Sequence, residues 1–511
     1  MESLDDLFRR LESLKDDRLL VETTEQYLAD PGQLVSALFP LLLSHNYKAA
    51  YLIAKTLLAH QIEAYPMIHF ARAFGGMIVG NIEDEIQGSQ EFARCMDMIA
   101  PEHQATYYQS ILDPLFLPLI GNCFHLGHKG MVMRLLEFLK AGSPLLRSIF
   151  DFSLPILPLN QNELRRRGWE KAKLLNYPQP PPGPRPVRRA VVAIRELIFP
   201  HLPQSRLLDL GPRTAAAMNA YGWQTHFHPV VDYLNMEREY RALLEICRQQ
   251  KTELLVLDDM QSEDSLTLHE RSTFIAQLRQ ELPDLKIAVV FFDTWMVTPQ
   301  FLIDTATIAD VILEVTSPSL PVWQHPACRN KVLHVQLPHA HAFPPPTTPL
   351  RQRPLFLGSV MKYNYHRALW LSAIEHFQLP IDSSQSSHEG DGKSALESYG
   401  LYLQRLRETT CSLNLTMRMD LSRIVTGRCF ETLLTGSLLI QEHTPDMDYY
   451  FVAGEHYLEF HNVAELASIT NFILQQPQEA EEIRRRGYEF ARDNYSDDKL
   501  VGIIDKFLFY P

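Results

Sequence analysis

The feature that most restricts the fold is a series of short apolar runs, several ending in acidic residues, interleaved with helix-like stretches. Residues 253–257 (ELLVL) lead into Asp258-Asp259, and residues 285–292 (LKIAVVFF) end at Asp293. Residues 206–210 (RLLDL), 223–228, 309–314 and 331–336 read as further strands, and 237–250 and 266–282 as helices. Strands that are apolar on both sides need cover on both faces, which a parallel sheet flanked by helices supplies. Ligands bind such sheets beyond the carboxyl ends of the strands. Gly211, Asp258, Asp259 and Asp293 stand there.

Residues 1–150 read as α-helical. Leu34, Leu38, Leu41 and Leu42, and then Ala49, Ala50, Ile53, Ala54 and Leu57, recur at helical spacing. The segment 47–60 is similar to one helix of a tetratricopeptide-type hairpin, although no firm 34-residue period emerges. Two roles are open to this region: a platform for a protein partner or self-association, or helices that simply pack on the rest of the body. Residues 151–186 contain a helix and a proline-rich spacer (YPQPPPGPRP, 177–186), which holds neither a helix nor a central strand. ELRRRGWEKAK (163–173) nearly repeats as EIRRRGYEFAR (482–492). Such a run reads first as a solvated helix face.

Residues 187–340 read as one parallel α/β domain, and 341–511 as a second. Residues 341–353 link them. The second opens with the strand 354–360 (PLFLGSV), and Gly358-Ser359 then leads past Lys362 and Arg367 into a helix at 368–377. A glycine turn at a strand end, followed by a cationic helix N-terminus, forms a diphosphate cradle. Residues 382–393 read as a polar loop and 411–417 as a strand.

The stretch 426–460 carries the densest signal. Phe430, Leu433 and Leu434 fall on one helical face, and Arg428, Glu431 and Thr435 form a polar stripe on another. Gly436 stands where a helix takes a left-handed stop. SLLIQ (437–441) is a buried strand, 456–460 a second short strand, and Asn462 with Glu465 a capping box. Arg and Glu at such a position suit phosphate and sugar hydroxyls respectively.

The run R-x-F-E-x-L-x-x-G-x-L-L-I, then F-x-x-G-x-x-Y-L-x-F and A-E-L, resembles the nucleotide-binding half of GT-B glycosyltransferases. The likeness is greatest to the group-1-like enzymes that include the spore-maturation CgeB-like proteins. It implies two Rossmann-like domains in GT-B arrangement around a cleft, preceded here by an all-α, helical-repeat-like domain. It also implies transfer of a hexose-like sugar from a UDP- or GDP-type donor to a protein or glycan acceptor, without a metal or other cofactor. Glu431 matches the ribose-binding Glu of that fold class. Where many relatives carry a second Glu, eight positions earlier, this chain has Arg423. The donor set is Gly358, Ser359, Lys362, Arg367, Arg428, Glu431 and Thr435. An inverting enzyme needs a general base for the acceptor proton, and Asp293 and then His339 are the candidates. The alternative is a non-catalytic GT-B-like scaffold acting through its helical region.

Asp446-Met447-Asp448 has the D-x-D form of a metal motif but reads as a solvated loop, and LLDLGPRT resembles a methyltransferase glycine motif but has only Gly211 where such a loop needs two or three glycines. His226 and His228 alternate on a strand and read as structural. The net charge of −13 argues against a nucleic-acid surface. Six scattered cysteines argue for free thiols in a reducing compartment. The N-terminus is charged throughout, and no apolar run approaches the roughly 18 residues of a membrane span. Together these point to a cytoplasmic protein without a transmembrane segment.

Overall fold

The computed structural model describes residues 4–79, 82–177, 187–195, 210–230, 236–258, 265–291, 297–338, 343–358, 360, 366–384, 395–418 and 422–510. It opens with helices α1 (Leu4–Ser13), α2 (Asp17–Gln26), α3 (Pro31–Leu43), α4 (Tyr47–Ala59), α5 (Pro66–Val79), α6 (Ile82–Asp97), α7 (Pro101–Ile111), α8 (Leu117–His125), α9 (Lys129–Gly142) and α10 (Pro144–Ile149). The apolar positions expected on α3 and α4 are buried. Phe70, Phe74, Phe92, Phe116 and Phe138 form an aromatic seam, with Phe92 and Phe138 stacked at 4.8 Å. Each buried ring contributes about 1.5–3 kcal/mol, so the seam is a large part of what holds these helices together.

Helix α11 (Gln161–Lys171) follows, capped by the Asn160 side chain, which accepts the Glu163 amide at 3.1 Å. The first α/β unit contains β1 (Arg189–Arg195), α12 (Leu210–Tyr221), β2 (Gln224–Val230), α13 (Met236–Gln250), β3 (Leu254–Asp258), α14 (Ser265–Glu281), β4 (Lys286–Phe291), α15 (Pro299–Ile308), β5 (Val311–Glu314) and β6 (Val332–Leu333). All paired strands are parallel, in the order β2-β1-β3-β4-β5-β6. Strand β1 is not singled out by the sequence pattern, because its apolar run is short and flanked by arginines. Leu210, placed by sequence at the end of a strand, instead starts α12, and the rest of that segment lies outside the described residues.

The second unit contains β7 (Leu355–Leu357), α16 (His366–His376), β8 (Asp382–Ser384), α17 (Ala395–Thr409), β9 (Cys411–Asn414), α18 (Gly427–Leu434), β10 (Leu438–Glu442), β11 (Leu458–Phe460), α19 (Val463–Gln475), α20 (Pro477–Tyr495) and α21 (Asp497–Phe509). Its sheet is also parallel, ordered β11-β10-β9-β7-β8. Asp382–Ser384, expected in a loop, form the edge strand, since Asp382 registers with Leu355. Gly436 takes φ 75°, the left-handed stop that ends α18. Asn462 accepts the Glu465 amide at 2.9 Å, which completes the expected cap.

The chain is thus two parallel-sheet α/β units preceded by a helical region. Helix α21 crosses back to the first unit and packs on α12. There Arg188 bonds Asp505 at 3.1 Å, and its guanidinium lies 3.9 Å from the Phe509 ring centre. The helical region packs instead on the second unit. Phe150 meets Trp370 of α16 at 4.8 Å, and Phe152 stacks on Phe377. One apolar cluster therefore runs from the N-terminal helices into the second sheet. A separate one joins the first sheet to α18 and α21.

The repeated R-R-R-G motif also has a structural account. Helices α11 and α20 bring their glycines to the two sides of one loop. A Cβ on Gly168 would lie 1.9 Å from the Ala453 carbonyl oxygen, and one on Gly487 would lie 2.2 Å from that of His456. Between them the Glu455 carboxylate pairs with Arg165 on one side and Arg486, at 3.2 Å, on the other. Arg166 and Arg167, bonding Glu163 and Glu170, and Arg485, bonding Glu489 at 3.0 Å, form the solvated pairs the sequence suggests.

Candidate functional site

The strand ends of the second unit gather a cationic cluster. Helix α18 carries Arg428 in its first turn, and its apolar face is fixed from behind. Phe430 lies edge-on to Tyr450 and Tyr495, at 5.3 and 5.1 Å. Arg428 is thereby aimed at the end of β7, where it donates to the Leu357 carbonyl. A Cβ on Gly358 would lie 2.9 Å from the Arg428 guanidinium, so any larger residue there would push the guanidinium aside.

Tyr402 of α17 links the two expected ligand groups. Its hydroxyl accepts from Arg428 Nε at 3.0 Å and donates to Glu431 Oε2 at 3.0 Å. Burial raises the Tyr402 hydroxyl above its ordinary range, so it stays protonated and able to donate. Burial opposes the charge on Arg428, but Tyr402 and Glu431 more than offset it. Glu431 is 7% exposed. Thr435, the third member of the stripe, is buried at the other end of the helix and donates to the Thr432 carbonyl at 2.8 Å.

Arg367, at the start of α16, belongs to the same field. Burial, then Arg428 and Arg418, push it down to about 9. Its neighbour His366 is buried, and neither ring nitrogen has a hydrogen-bond partner among the described residues. Burial, then Arg367 and Arg418, hold this imidazole well below its ordinary value and so neutral. Three guanidinium groups crowded at the strand ends of one sheet repel one another, and an anion between them relieves that repulsion. Arg367, Arg428 and Glu431 are legible in the sequence, whereas Tyr402, Arg418 and His366 are not. Helix α17, with Leu403 and Leu406 buried three apart, was the available signal for Tyr402.

Arg423 faces Glu442, the buried last residue of β10, at 3.4 Å. Glu442 also accepts the Thr416 and Met417 amides, at 2.8 and 3.0 Å, and Trp370 Nε1 at 3.2 Å. Ser359, Lys362, Asp259, Asp293 and His339 lie outside the described residues. Asp258 is buried at the end of β3. Asp446 is not the solvated residue expected. It is buried in the 3-10 turn Pro445–Tyr449, where desolvation raises its carboxyl above the usual range. This turn sits on the seam between the units, since the Tyr450 hydroxyl donates to the Val315 carbonyl at 3.0 Å. His228 bonds Glu239 at 3.2 Å, in keeping with a structural part.

Residues 384–501 match the family model described as glycosyl transferase-like. That span contains Tyr402, Arg418, Arg428 and Glu431. No curated protein matches the chain in sequence. Among solved structures, the chain is similar to HepE of Anabaena in complex with UDP and glucose, with 9% identity and a TM-score of 0.42 over 62% of this chain and 99% of that one. A glycosyltransferase from Rickettsia africae has 10% identity and a TM-score of 0.41, over 64% and 100%. Sucrose-phosphate synthase from Thermosynechococcus elongatus has 11% identity and a TM-score of 0.42, over 63% and 99%. Among the described residues, no helix is long and apolar enough to cross a membrane.

Proposed function

We propose that this protein transfers a hexose-type sugar from a nucleoside diphosphate sugar, of UDP or GDP type, to a protein or glycan acceptor. The observation that carries the reading is the arginine cluster beside the Tyr402–Glu431 pair, inside the segment that matches a glycosyl transferase-like family. Arg367, Arg418 and Arg428 take the diphosphate, with the amides near Gly358 and with Ser359 and Lys362. Glu431, oriented by Tyr402, accepts the ribose hydroxyls, and Thr435 steadies the helix end behind it.

In the transfer, the bond from the anomeric carbon to the diphosphate oxygen breaks through an oxocarbenium-like transition state. Negative charge grows on the departing diphosphate, where fixed guanidinium groups stabilise it without reorganisation and without calling on a metal. The bond to the acceptor oxygen forms, and the acceptor proton passes to a base, for which we propose Asp293 or His339. Residues 1–150 would serve as the surface that meets a protein partner.

The test is calorimetric titration with UDP, GDP and their common sugar conjugates, beside an Arg428→Ala, Glu431→Ala variant. Selective binding by the wild type, lost in the folded variant, supports the site. Equal binding by both, or none by the wild type, overturns it.

A further inference from the structure

A second cluster stands at the outer edge of the same sheet, formed by His443, Glu459 and His461. Its geometry follows from strand register. Glu442 of β10 pairs with Phe460 of β11, and the His443 amide continues the ladder by donating to the Phe460 carbonyl at 2.7 Å. His443 and His461 are therefore neighbours one step beyond the strands. Glu459 lies on β11 and His461 just past its end, two residues on, and both side chains come to the same place. The two imidazoles stack at 4.0 Å and turn toward one carboxylate. His443 Nδ1 lies 3.0 Å from Glu459 Oε1, and His461 Nε2 lies 3.5 Å from Glu459 Oε2.

We propose that His443, Glu459 and His461 form a binding site for a divalent transition-metal ion of the zinc type. One donor atom from each of the three residues falls within 4.8 Å of the others. Ligands about 2.0–2.1 Å from a tetrahedral metal stand roughly 3.3 Å apart, close to the separations found. Two imidazole nitrogens and one carboxylate select zinc, cobalt or nickel over magnesium or calcium, which prefer oxygen donors. Glu459 is 8% exposed and fixed, with Tyr457 donating to Oε1 at 3.3 Å. His461 is 42% exposed, so the fourth position opens to solvent. Lys171 stands 3.8 Å from Glu459 on a half-exposed arm. At that distance, and with the lysine itself half-exposed, an entering cation displaces it. Where His443 Nδ1 donates to Glu459, metal entry expels that proton.

The site is separate from the arginine cluster and does not depend on the proposed activity. A bound ion ties the ends of β10 and β11 together beside the loop that α11 and α20 clamp. The experiment titrates the full-length, chelator-treated protein with Co²⁺, followed by optical spectroscopy, and then displaces it with Zn²⁺. The expected result is one Co²⁺ per chain with the intense visible bands of four- or five-fold coordination, lost on adding Zn²⁺. Affinity should fall about tenfold or more in His461→Ala and in His443→Ala, and should hold in His226→Ala. Zn²⁺ should raise the melting temperature of the wild type and not that of His461→Ala. Because His461 is half-exposed, that variant keeps the test valid if Glu459→Gln fails to fold. Weak six-coordinate bands, or affinity unchanged in both histidine variants, would overturn the proposal.

Discussion

The two clusters at the carboxyl edge of the second sheet are built in different ways. The arginine cluster sits at the sheet's centre and draws on four separate segments, through Arg367, Tyr402, Arg418 and the Arg428–Glu431 helix. The histidine–glutamate cluster sits at the outer edge and comes from two adjacent strand ends. The central one is crowded with like charge and shaped by burial. The outer one is open to water and shaped by register. A central position gives a ligand walls on several sides, which suits a nucleotide. An edge position gives only a few donors, which suffices for an ion.

The two clusters can be separated by experiment. The largest effect is expected from Arg428→Ala with Glu431→Ala. Each lost charge-assisted hydrogen bond costs about 1.5–3 kcal/mol, so nucleoside diphosphate affinity should fall roughly 100-fold or more, while Co²⁺ affinity stays at the wild-type value. Calorimetry on both ligands checks this. Loss of both affinities would mean that the clusters are coupled.

Arg418→Gln removes one guanidinium and keeps a polar side chain. A loss of about 1.5 kcal/mol, or roughly tenfold, is expected in nucleotide affinity. The same change should relieve Arg367, whose ionisation is depressed partly by Arg418. Unchanged affinity would remove Arg418 from the site.

A pH series gives a smaller and more specific effect. Arg367 is pushed down to about 9, with burial the main cause. An anion favours its charged form, so affinity should be level below about pH 9 and fall above it as the proton leaves. Stability runs in the opposite sense. Because the folded state holds this proton less tightly than the unfolded chain, the unfavourable contribution is full below about pH 9 and fades as pH rises. Nucleotide titrations from about pH 8 to about pH 10 test the first, and denaturant melts test the second. A flat affinity profile would place Arg367 away from the phosphate.

The smallest effect is expected from His461→Ala on nucleotide affinity, which should remain within about twofold of wild type. A larger loss would show that the edge cluster shapes the donor site.

The sequence alone determined much of this molecule. Apolar runs of five to eight residues, in alternation with helical patterns, required two-sided cover and hence parallel sheets. Local rules placed α18, the Gly436 stop, β10 and the Asn462 cap, because each depends on contacts a few residues apart. The Arg428–Glu431 pair was legible for the same reason, as an i,i+3 stripe opposite a buried face. Strand β1 and the edge strand β8 were not, since three to seven residues with charged flanks carry little periodicity.

What only the tertiary structure decided is how distant segments meet. Arg367 joins Arg418 and Arg428 because the order β9-β7 brings segments some fifty residues apart to one edge. The helical region settles on the second unit because Trp370 and Phe377 present aromatic faces there. The two R-R-R-G helices share one loop because only glycine admits the Ala453 and His456 carbonyls. Spacing along a chain encodes the period of a helix or a strand. It does not encode which face another segment will find, because that is settled by the burial of complementary surfaces after the elements exist.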